Sequence, residues 1–264
     1  MNRVATREFA VRTASAAVLV PLVLVPAWTG SWPLAILLVA AGWQIGHEWF
    51  RMLGCRGLEA YVPPLSATGI GVAAYYAAGP AGAVAAAFVG AAVARICIRW
   101  SDRTWPNGLL GVPILAFPLT LVWELRGDGD EGRNLLLWCL LVVWTTDTFA
   151  YLCGRLFRGR RLAPAISPGK TWSGLFGGIF AAGVAGGLAG IMLGFPAETA
   201  VISAVSVGMA TIVGDLVMSA VKRAHGCKDT GRLIPGHGGV LDRVDGFLFG
   251  VTVVAIWKLV VKGT

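Results

Sequence analysis

Long apolar runs recur along the whole chain, and most are close to the length needed to cross a bilayer. A transmembrane helix needs roughly 20 predominantly apolar residues. Because lipid offers no water to backbone polar groups, an open sheet cannot cross a membrane, and helices are the expected spanning element. Only 14% of the residues are charged, whereas soluble domains carry about 25%. The sequence therefore predicts an all-α, polytopic integral membrane protein.

The apolar runs predict about nine transmembrane helices, with the active site built from the C-terminal helices and two polar loops. In chain order they are 13–28, 32–50, 65–79, 81–97, 109–125, 135–152, 172–194, 199–221 and 244–262. The first run could also be a signal peptide, but a second run follows at once and no small-x-small cleavage site precedes it, so we interpret it as a retained span. We divide the chain into N-terminal transmembrane helices, 1–134, and a C-terminal catalytic transmembrane region, 135–264.

Basic residues concentrate on one side of this predicted topology. Most of the 22 lysines and arginines fall in the N-terminus and in alternate loops. The other side keeps Arg126, Arg133, Lys258 and Lys262, together with an acidic run at 128–131. By the positive-inside rule, the N-terminus and the two polar loops of the C-terminal region face the cytoplasm.

Acidic residues interrupt apolar runs at three places in the C-terminal region. Asp147 and Asp215 lie inside runs, and Asp242 and Asp245 open the last one. A carboxylate at mid-bilayer costs about 2.5–3.5 kcal/mol even on a lenient insertion scale, so such groups usually face a cavity and have a function. The alternative is a structural partner for a neighbouring arginine.

Helical spacing groups these carboxylates with hydroxyl and basic side chains. Three sets share a helix face: Asp147–Tyr151–Arg155, Asp215–Ser219–Lys222 and Asp242–Asp245. Carboxylate and hydroxyl oxygens without a histidine cluster suit Mg²⁺, and lysines and arginines suit phosphate oxygens. Together these groups predict metal-assisted phosphoryl or nucleotidyl transfer.

Two glycine-containing loops add candidate phosphate contacts. Ser167, Lys170 and Thr171 precede the seventh span, where a helix N-terminus would add its dipole. The Pro-Gly-His-Gly-Gly turn at 235–239 lacks P-loop spacing but would expose backbone N–H groups to a phosphate. Glycines beyond the first loop repeat at small-xxx-small spacing and are predicted to serve helix packing: Gly174, Gly178, Gly183, Gly186, Gly187, Gly190 and Gly194.

The polar stretch before the last span resembles the signature of the phosphatidate cytidylyltransferase (CDP-diacylglycerol synthase) family. That pattern reads approximately S-x-x-K-R-x4-K-D-x-G-x2-[LIF]-P-x-H-G-G-x-x-D-R-x-D, and it is matched without a break from Ser219 to Asp245. Two further family stretches match at 147–155 and 164–174. The resemblance covers the chain from about Trp138 onward. Ser173 and Met218 depart from it, because many members carry Glu or Gln, and an acidic residue, at these positions.

The resemblance implies transfer of a cytidylyl group from CTP to phosphatidic acid, giving CDP-diacylglycerol and pyrophosphate for phospholipid biosynthesis. With the spacing above, it implies catalytic roles for Asp215, Ser219, Lys222, Asp229, Asp242 and Asp245. The implied substrate-binding residues are Tyr151, Ser167, Lys170, Thr171, Arg223, Lys228, His237, Gly238, Gly239 and Arg243. The implied metal ligands are Asp147, Asp215, Asp242 and Asp245. The expected cofactor is Mg²⁺ with a second cation that is K⁺ in some members, and the expected setting is the cell membrane, with a homodimer and no nucleic-acid partner.

Three other functions fit part of the pattern. A CTP-dependent polyprenol or phytol kinase would phosphorylate an alcohol and release CDP, but the unbroken HGG-x-x-DR-x-D and SPGKTW stretches favour the cytidylyltransferase. A CDP-alcohol phosphotransferase needs a DG-x2-AR-x8-G-x3-D-x3-D pattern, which the sequence lacks. An ion transporter would use Asp147 and Asp215 but would not need a signature in a loop.

Overall fold

The computed structural model describes residues 3–55 and 105–262, and most of these residues are helical, as predicted. The helices, numbered in chain order, are α1 (Arg3–Thr29), α2 (Ser31–Met52), α3 (Trp105–Arg126), α4 (Asp130–Phe157), α5 (Trp172–Ala181), α6 (Gly187–Met192), α7 (Ala197–Ala224) and α8 (Leu241–Lys262). A π-helical turn, Ala182–Gly186, joins α5 to α6. Strands β1 (Arg161–Ala163) and β2 (Ser167–Thr171) lie between α4 and α5.

The two short strands depart from the predicted all-helical class. They pair antiparallel, with Arg161 opposite Thr171 and Ala163 opposite Ser167. Prolines at 164 and 168 and a glycine at 169 disfavour a helix here. The Arg161 guanidinium also donates to the carbonyl of Pro168. A segment predicted only as a polar loop is therefore an ordered hairpin.

Each predicted span that falls within the described residues lies in a helical segment, except that the span 172–194 extends two residues past the helix end at Met192, whereas spans 65–79 and 81–97 lie outside the described residues. In the part of the chain described, three helices are long and apolar enough to cross a membrane: α4, the continuous run Trp172–Met192, and α7. Helix α1 contains a shorter apolar segment, Thr13–Thr29. The membrane-protein class is supported, and the total of nine spans stays a prediction.

The described elements form two compact units. The first contains α1, α2, α3 and the segment Cys227–Val244, and the second contains α4, the hairpin, α5 to α7 and the chain from Asp245 onward. Helix α8 therefore begins in the first unit and continues in the second. The predicted functional division between residues 134 and 135 stays a prediction.

In the first unit, helix α1 ends against a buried arginine of α3. The Arg126 guanidinium donates from Nε to the Ala27 carbonyl at 2.7 Å and from Nη2 to the Trp28 carbonyl at 2.6 Å. The last carbonyls of a helix have no partner within it, so this side chain caps α1. The chain turns next at Gly30, where φ is +67° and a Cβ would lie 2.9 Å from Arg126 Cζ.

In the second unit, glycines let the helices approach closely, as their spacing predicts. A Cβ at Gly178 would lie 2.9 Å from the Thr146 carbonyl oxygen, and one at Gly186 would lie 2.6 Å from Val142 Cγ2. Gly194 is a correction, because its φ is +88° and no atom lies within 4 Å of its ideal Cβ. It serves a turn and not helix packing.

Large apolar side chains are exposed on the outer faces of the second unit. On the run from α5 to α6 they include Phe176, Phe180, Leu188 and Met192, and α4 and α7 carry others. Extensive exposed apolar surface is unusual for a soluble monomer, and it is what helices in contact with lipid present. Packing and surface composition thus agree with a membrane location.

Replacing Arg126 with methionine should destabilise the first unit. The change removes the Arg126 N–H donors from the carbonyls of Ala27 and Trp28, and a buried polar group that loses its partner costs about 1–3 kcal/mol. Thermal unfolding in detergent should show a clear fall in Tm. Asp130→Asn is the control, because the Asp130 side chain that pairs with Arg133 is 83% exposed, and pairs at the surface contribute about 0–1 kcal/mol. Equal effects of the two changes would contradict the capping role.

Candidate active site

Two lysine–carboxylate pairs lie close to the C-terminal end of α7 in the second unit. Lys170 Nζ, from β2, is 2.6 Å from Asp215 Oδ2 of α7. Lys222 Nζ, one residue before Arg223 in the last turn of α7, is 3.6 Å from Asp245 Oδ2 of α8. The second pair is the more buried, with side chains only 10% and 11% exposed. Four residues predicted from three separate segments are thus brought together in pairs.

The stripe predicted along α7 is present, although its members have different partners. Ser219 Oγ donates to Asp215 Oδ1 at 3.3 Å, one helical turn away. Arg223 Nε donates to the Ile166 carbonyl at 3.1 Å, which ties the hairpin turn to the end of α7. Asp215 and Asp245 each form an ion pair with a lysine, and the alternative of a structural arginine partner for the aspartates stays a prediction.

The position of Lys170 depends on how the hairpin enters α5. Thr171 is the N-cap of α5, and its Oγ1 accepts a hydrogen bond from the Gly174 N–H at 3.1 Å. A Cβ at Gly174 would lie 2.6 Å from the Ala150 carbonyl oxygen, and one at Gly154 would lie 2.9 Å from Thr171 Oγ1. Glycines in the two shorter family stretches therefore let β2 and α5 pack directly on α4.

Other predicted residues of the second unit have structural partners of their own. Arg155 donates to the Tyr151 hydroxyl at 2.9 Å, as their spacing on α4 predicts, and Asp147 is exposed one turn earlier. Ser167 lies in the hairpin register opposite Ala163. The substrate-binding roles of Tyr151 and Ser167 stay predictions.

Ser173, which departs from the family pattern, fixes the start of α5. Its Oγ accepts from the Gly159 N–H at 3.3 Å and lies 3.1 Å from Thr171 Oγ1. The serine hydroxyl thus links the chain just after α4 to the N-cap of α5. Met218, the other departure, is buried in α7.

In the first unit, residues 227–240, here called the signature loop, form a turn closed by its own backbone. Ile234 N–H donates to the Gly238 carbonyl at 2.9 Å, and the N–H groups of His237 and Gly238 both donate to the Ile234 carbonyl. Gly236 and Gly238 have φ of +73° and +87°, a conformation that favours glycine.

The glycine turn was predicted to expose N–H groups to a phosphate, and that contact stays a prediction. The N–H groups of His237, Gly238 and Gly239 are all bonded to acceptors of the protein itself. The sequence could not reveal this, because a Gly-rich turn can direct its amides either inward or outward. Substrate contact through the imidazole of His237 stays a prediction.

Asp242 holds the signature loop at two points. Its Oδ2 accepts from the Thr230 N–H at 2.9 Å and from the Gly239 N–H at 3.0 Å, and the residue is only 8% exposed. The exposed charged residues of this region are Lys228, Asp229, Arg232 and Arg243. Asp242 therefore organises a segment whose charged side chains are accessible.

A second carboxylate, which the sequence reasoning missed, lies under the same loop. Glu48 of α2 is 2% exposed and accepts hydrogen bonds from Thr230 Oγ1 and from the N–H groups of Val240 and Leu241, each at 2.9 Å. An ionisable residue inside the apolar run 32–50 was the available signal, since the same rule singles out Asp147 and Asp215.

The signature loop also contacts the beginning of the chain. Ser15 Oγ, near the start of the first predicted span, donates to the Pro235 carbonyl at 2.8 Å. Glu48, near the end of α2, contacts the same loop. Ser15 near the middle of α1 and Glu48 near the end of α2 thus contact the same loop, and the predicted location of these segments on one side of the membrane stays a prediction.

The carboxylate and hydroxyl oxygens of Asp215, Ser219 and Asp245 are donors that a hard divalent cation prefers. Over residues 3–55 and 105–262, however, no three His, Cys, Asp or Glu residues are arranged to hold a metal ion. The carboxylates of Asp215 and Asp245 face ammonium groups instead. The chemistry of the donors fits Mg²⁺, and the predicted convergence of Asp215, Asp242 and Asp245, with Asp147 nearby, stays a prediction.

A separate apolar cavity in the second unit contains none of the predicted site residues. Its lining includes the aromatic side chains of Trp138, Phe195 and Trp257, with Glu131 and Lys258 among the few charged groups. These two charged residues belong to the side predicted to face away from the cytoplasm. The cavity is therefore distinct from the lysine–carboxylate pairs.

Comparison with known proteins assigns the chain to a family. The sequence profile of the cytidylyltransferase family matches residues 10–260. The chain belongs to this family. The match confirms the resemblance seen in the signature loop and extends it over almost the whole chain, including the N-terminal helices.

Several relatives carry the name phosphatidate cytidylyltransferase. The one from Brucella abortus biovar 1 (strain 9-941) is 42% identical over 153 residues, which are 57% of this chain and 56% of the relative. The one from Rickettsia conorii (strain ATCC VR-613 / Malish 7) is 36% identical over 172 residues, 61% of this chain and 74% of the relative. The one from Staphylococcus saprophyticus subsp. saprophyticus is 36% identical over 143 residues, which are 53% of this chain and 54% of the relative. The chain therefore spans about half the length of the Brucella and Staphylococcus relatives.

Replacing Gly174 with alanine should disturb the site through packing alone. The added methyl group would meet the Ala150 carbonyl, and overpacking costs about 1–3 kcal/mol. Thermal unfolding in detergent should show a lowered Tm, because β2 and α5 must move away from α4. Gly129→Ala is the matched control, since nothing lies within 4 Å of a Cβ there. If both variants unfold at the wild-type temperature, the close approach of α5 to α4 is wrong.

Proposed function

We propose that the chain transfers a cytidylyl group from CTP to phosphatidic acid, producing CDP-diacylglycerol and pyrophosphate. The observation that carries this proposal is the pair of lysine–carboxylate contacts, Lys170–Asp215 and Lys222–Asp245. The shared name of the relatives, phosphatidate cytidylyltransferase, supports the choice of substrates.

The lysine pairs suit a site that receives anions. The Lys170 ammonium is buried, and its contact with Asp215 is a close ion pair without well-directed hydrogen-bond geometry. An ammonium has three N–H donors and no acceptor, so a phosphate oxygen can take the place of the carboxylate oxygen as its partner. Each lysine is held in place by its aspartate before substrate arrives, which reduces the entropy lost on binding.

The proposed reaction forms one bond and breaks one bond at the α-phosphorus of CTP. A phosphate oxygen of phosphatidic acid attacks that phosphorus, and the bond to the oxygen bridging the α- and β-phosphates breaks. Pyrophosphate leaves with the electron pair of that bond. Lys170 and Lys222 would neutralise negative charge on the phosphates, and positioning with charge stabilisation is how proteins generally catalyse such transfers.

We propose Mg²⁺ as the cofactor, with Asp215, Asp242 and Asp245 as ligands and Asp147 nearby. When bound, the cation would neutralise charge on the phosphates of CTP. A second cation, K⁺ in the resembling family, and a homodimer also stay proposals.

Phosphatidic acid remains in the bilayer because moving each CH₂ of its chains into water costs about 0.8 kcal/mol. We therefore propose that the site opens to the cytoplasm for CTP and sideways between helices for the lipid. The Lys222–Asp245 pair joins the last turn of α7 to the start of α8, and this position near helix ends supports the proposed access.

Purified protein with phosphatidic acid, labelled CTP and Mg²⁺ should give CDP-lipid and pyrophosphate in equal amounts. Asp215→Asn and Lys170→Met should each reduce kcat/KM by about 100-fold, the usual cost of removing one group that stabilises developing charge. Asp130→Asn and Lys258→Met are the matched controls and should keep wild-type turnover.

The identity of the product separates the alternatives. CDP with a phosphorylated alcohol would replace the proposal with a CTP-dependent lipid kinase. Cation flux into liposomes without CTP, and no product, would replace it with a transporter. Wild-type turnover in both site variants would move the chemistry away from the lysine pairs.

Cysteine labelling tests the proposed orientation. In a background without native cysteines, Arg232→Cys should react with an impermeant maleimide only in inverted vesicles, because Arg232 is exposed in the signature loop. Gly129→Cys should react only in right-side-out cells. Arg232 is a better position than Gly231, where a Cβ would lie 2.9 Å from Glu48 Oε1. The reverse pattern of labelling would contradict cytoplasmic access for CTP.

A further inference from the structure

We propose that Glu48 is a positioning residue for the cytidylyl transfer, acting through the signature loop; this inference rests on the proposed function. The carboxylate is 2% exposed and accepts four hydrogen bonds. Gln44 Nε2 and Val240 N–H donate to Oε1, and Thr230 Oγ1 and Leu241 N–H donate to Oε2, each at 2.9 Å.

These bonds join the two ends of the loop to one rigid helix. Thr230 lies near the beginning of the loop, and Val240 and Leu241 lie where it enters α8. Amides at a helix N-terminus lack intrahelical acceptors and attract negative charge. Glu48 therefore fixes the first turn of α8, the turn that carries Asp242.

Two glycines of the family signature are explained by the same carboxylate. A Cβ at Gly231 would lie 2.9 Å from Glu48 Oε1, and one at Gly239 would overlap Glu48 Oε2. Any larger residue at either position would have to displace the carboxylate from its donors. Loop glycines and Glu48, which are far apart in the sequence, are thus fitted to each other.

Thr230 connects Glu48 to a predicted site residue. Its hydroxyl donates to Glu48 and its backbone N–H donates to Asp242 Oδ2. If Glu48 no longer accepts from Thr230, the segment that orients Asp242 and carries Lys228 loses a constraint. Displacement of reacting groups by about 1 Å can reduce rates 100-fold, so the effect should reach turnover.

The test uses Glu48→Gln, which keeps the size of the side chain. One oxygen becomes an NH₂ group that faces a backbone N–H, of Val240 or of Leu241, so at least that hydrogen bond is lost. We expect kcat/KM for CTP to fall roughly 10- to 100-fold when it is measured at a temperature below the Tm of the variant. The change should appear in KM for CTP or in kcat per folded molecule. Glu198→Gln, an exposed residue in the first turn of α7, is the matched control and should behave as wild type.

A double-mutant cycle separates positioning from general stability. Thr230→Val removes the hydroxyl with little change in volume. If Glu48 acts through Thr230, the losses in kcat/KM for Glu48→Gln and Thr230→Val will be less than multiplicative in the double variant. Multiplicative losses, or unchanged kcat/KM in Glu48→Gln, would overturn the proposal.

Hydrogen exchange gives a readout that does not depend on activity. Peptides covering 227–244 should exchange faster in Glu48→Gln, because the amide of Val240 or of Leu241 loses its acceptor, while peptides from α4 and α7 should not change. If the wild type makes no CDP-lipid, the proposed function fails and exchange alone decides whether Glu48 holds the loop. If Glu48→Gln does not fold, Thr230→Val carries both measurements, and unchanged exchange and turnover in that variant would overturn the role.

Discussion

A carboxylate buried in a helix must find donors, and Glu48 finds them in the loop that carries the family signature. Transfer of an unpaired charge from water to the protein interior is very costly, so this residue and the loop can be buried only together. The loop supplies a threonine hydroxyl and two amides at the start of α8, and its glycines leave room for the carboxylate oxygens. The shape of the signature loop thus depends on a residue outside the signature.

The second unit applies the same principle to pairs of charges. Lys170 pairs with Asp215, and Lys222 pairs with Asp245. Each partly buried ammonium and carboxylate group therefore has a partner of opposite charge. Removing one member of a buried ion pair is strongly destabilising because it leaves the other charge buried without a partner, whereas replacing both members with apolar residues is often neutral. An incoming polyphosphate can replace a carboxylate as the partner of each lysine, which links the resting structure to the proposed chemistry.

Much of the architecture could be predicted because apolar length and helical spacing are local properties of the sequence. The helices over the described spans, the Asp215–Ser219 contact and the Arg155–Tyr151 contact all follow from such spacing. The family could be recognised because its signature is long and unbroken, and the match over residues 10–260 confirms it.

The remaining features depend on contacts between distant segments. Nothing local pairs Glu48 with Thr230, or shows that the amides at 237–239 turn inward. The hairpin at 161–171 was predicted as a loop, because strands of three and five residues leave too little periodicity to detect. In each case the decisive partner lies elsewhere in the chain, so single-sequence patterns could not identify it.

The central claim is that Lys170 and Lys222 exchange carboxylate partners for the phosphates of CTP. An experimental structure with Mg²⁺ and a CTP analogue that cannot be cleaved at the α-phosphorus tests it most directly. The account predicts phosphate oxygens within hydrogen-bonding distance of Lys170 Nζ or Lys222 Nζ, with the corresponding aspartate contact lengthened. A nucleotide bound elsewhere, with both lysine–aspartate pairs intact, would contradict it.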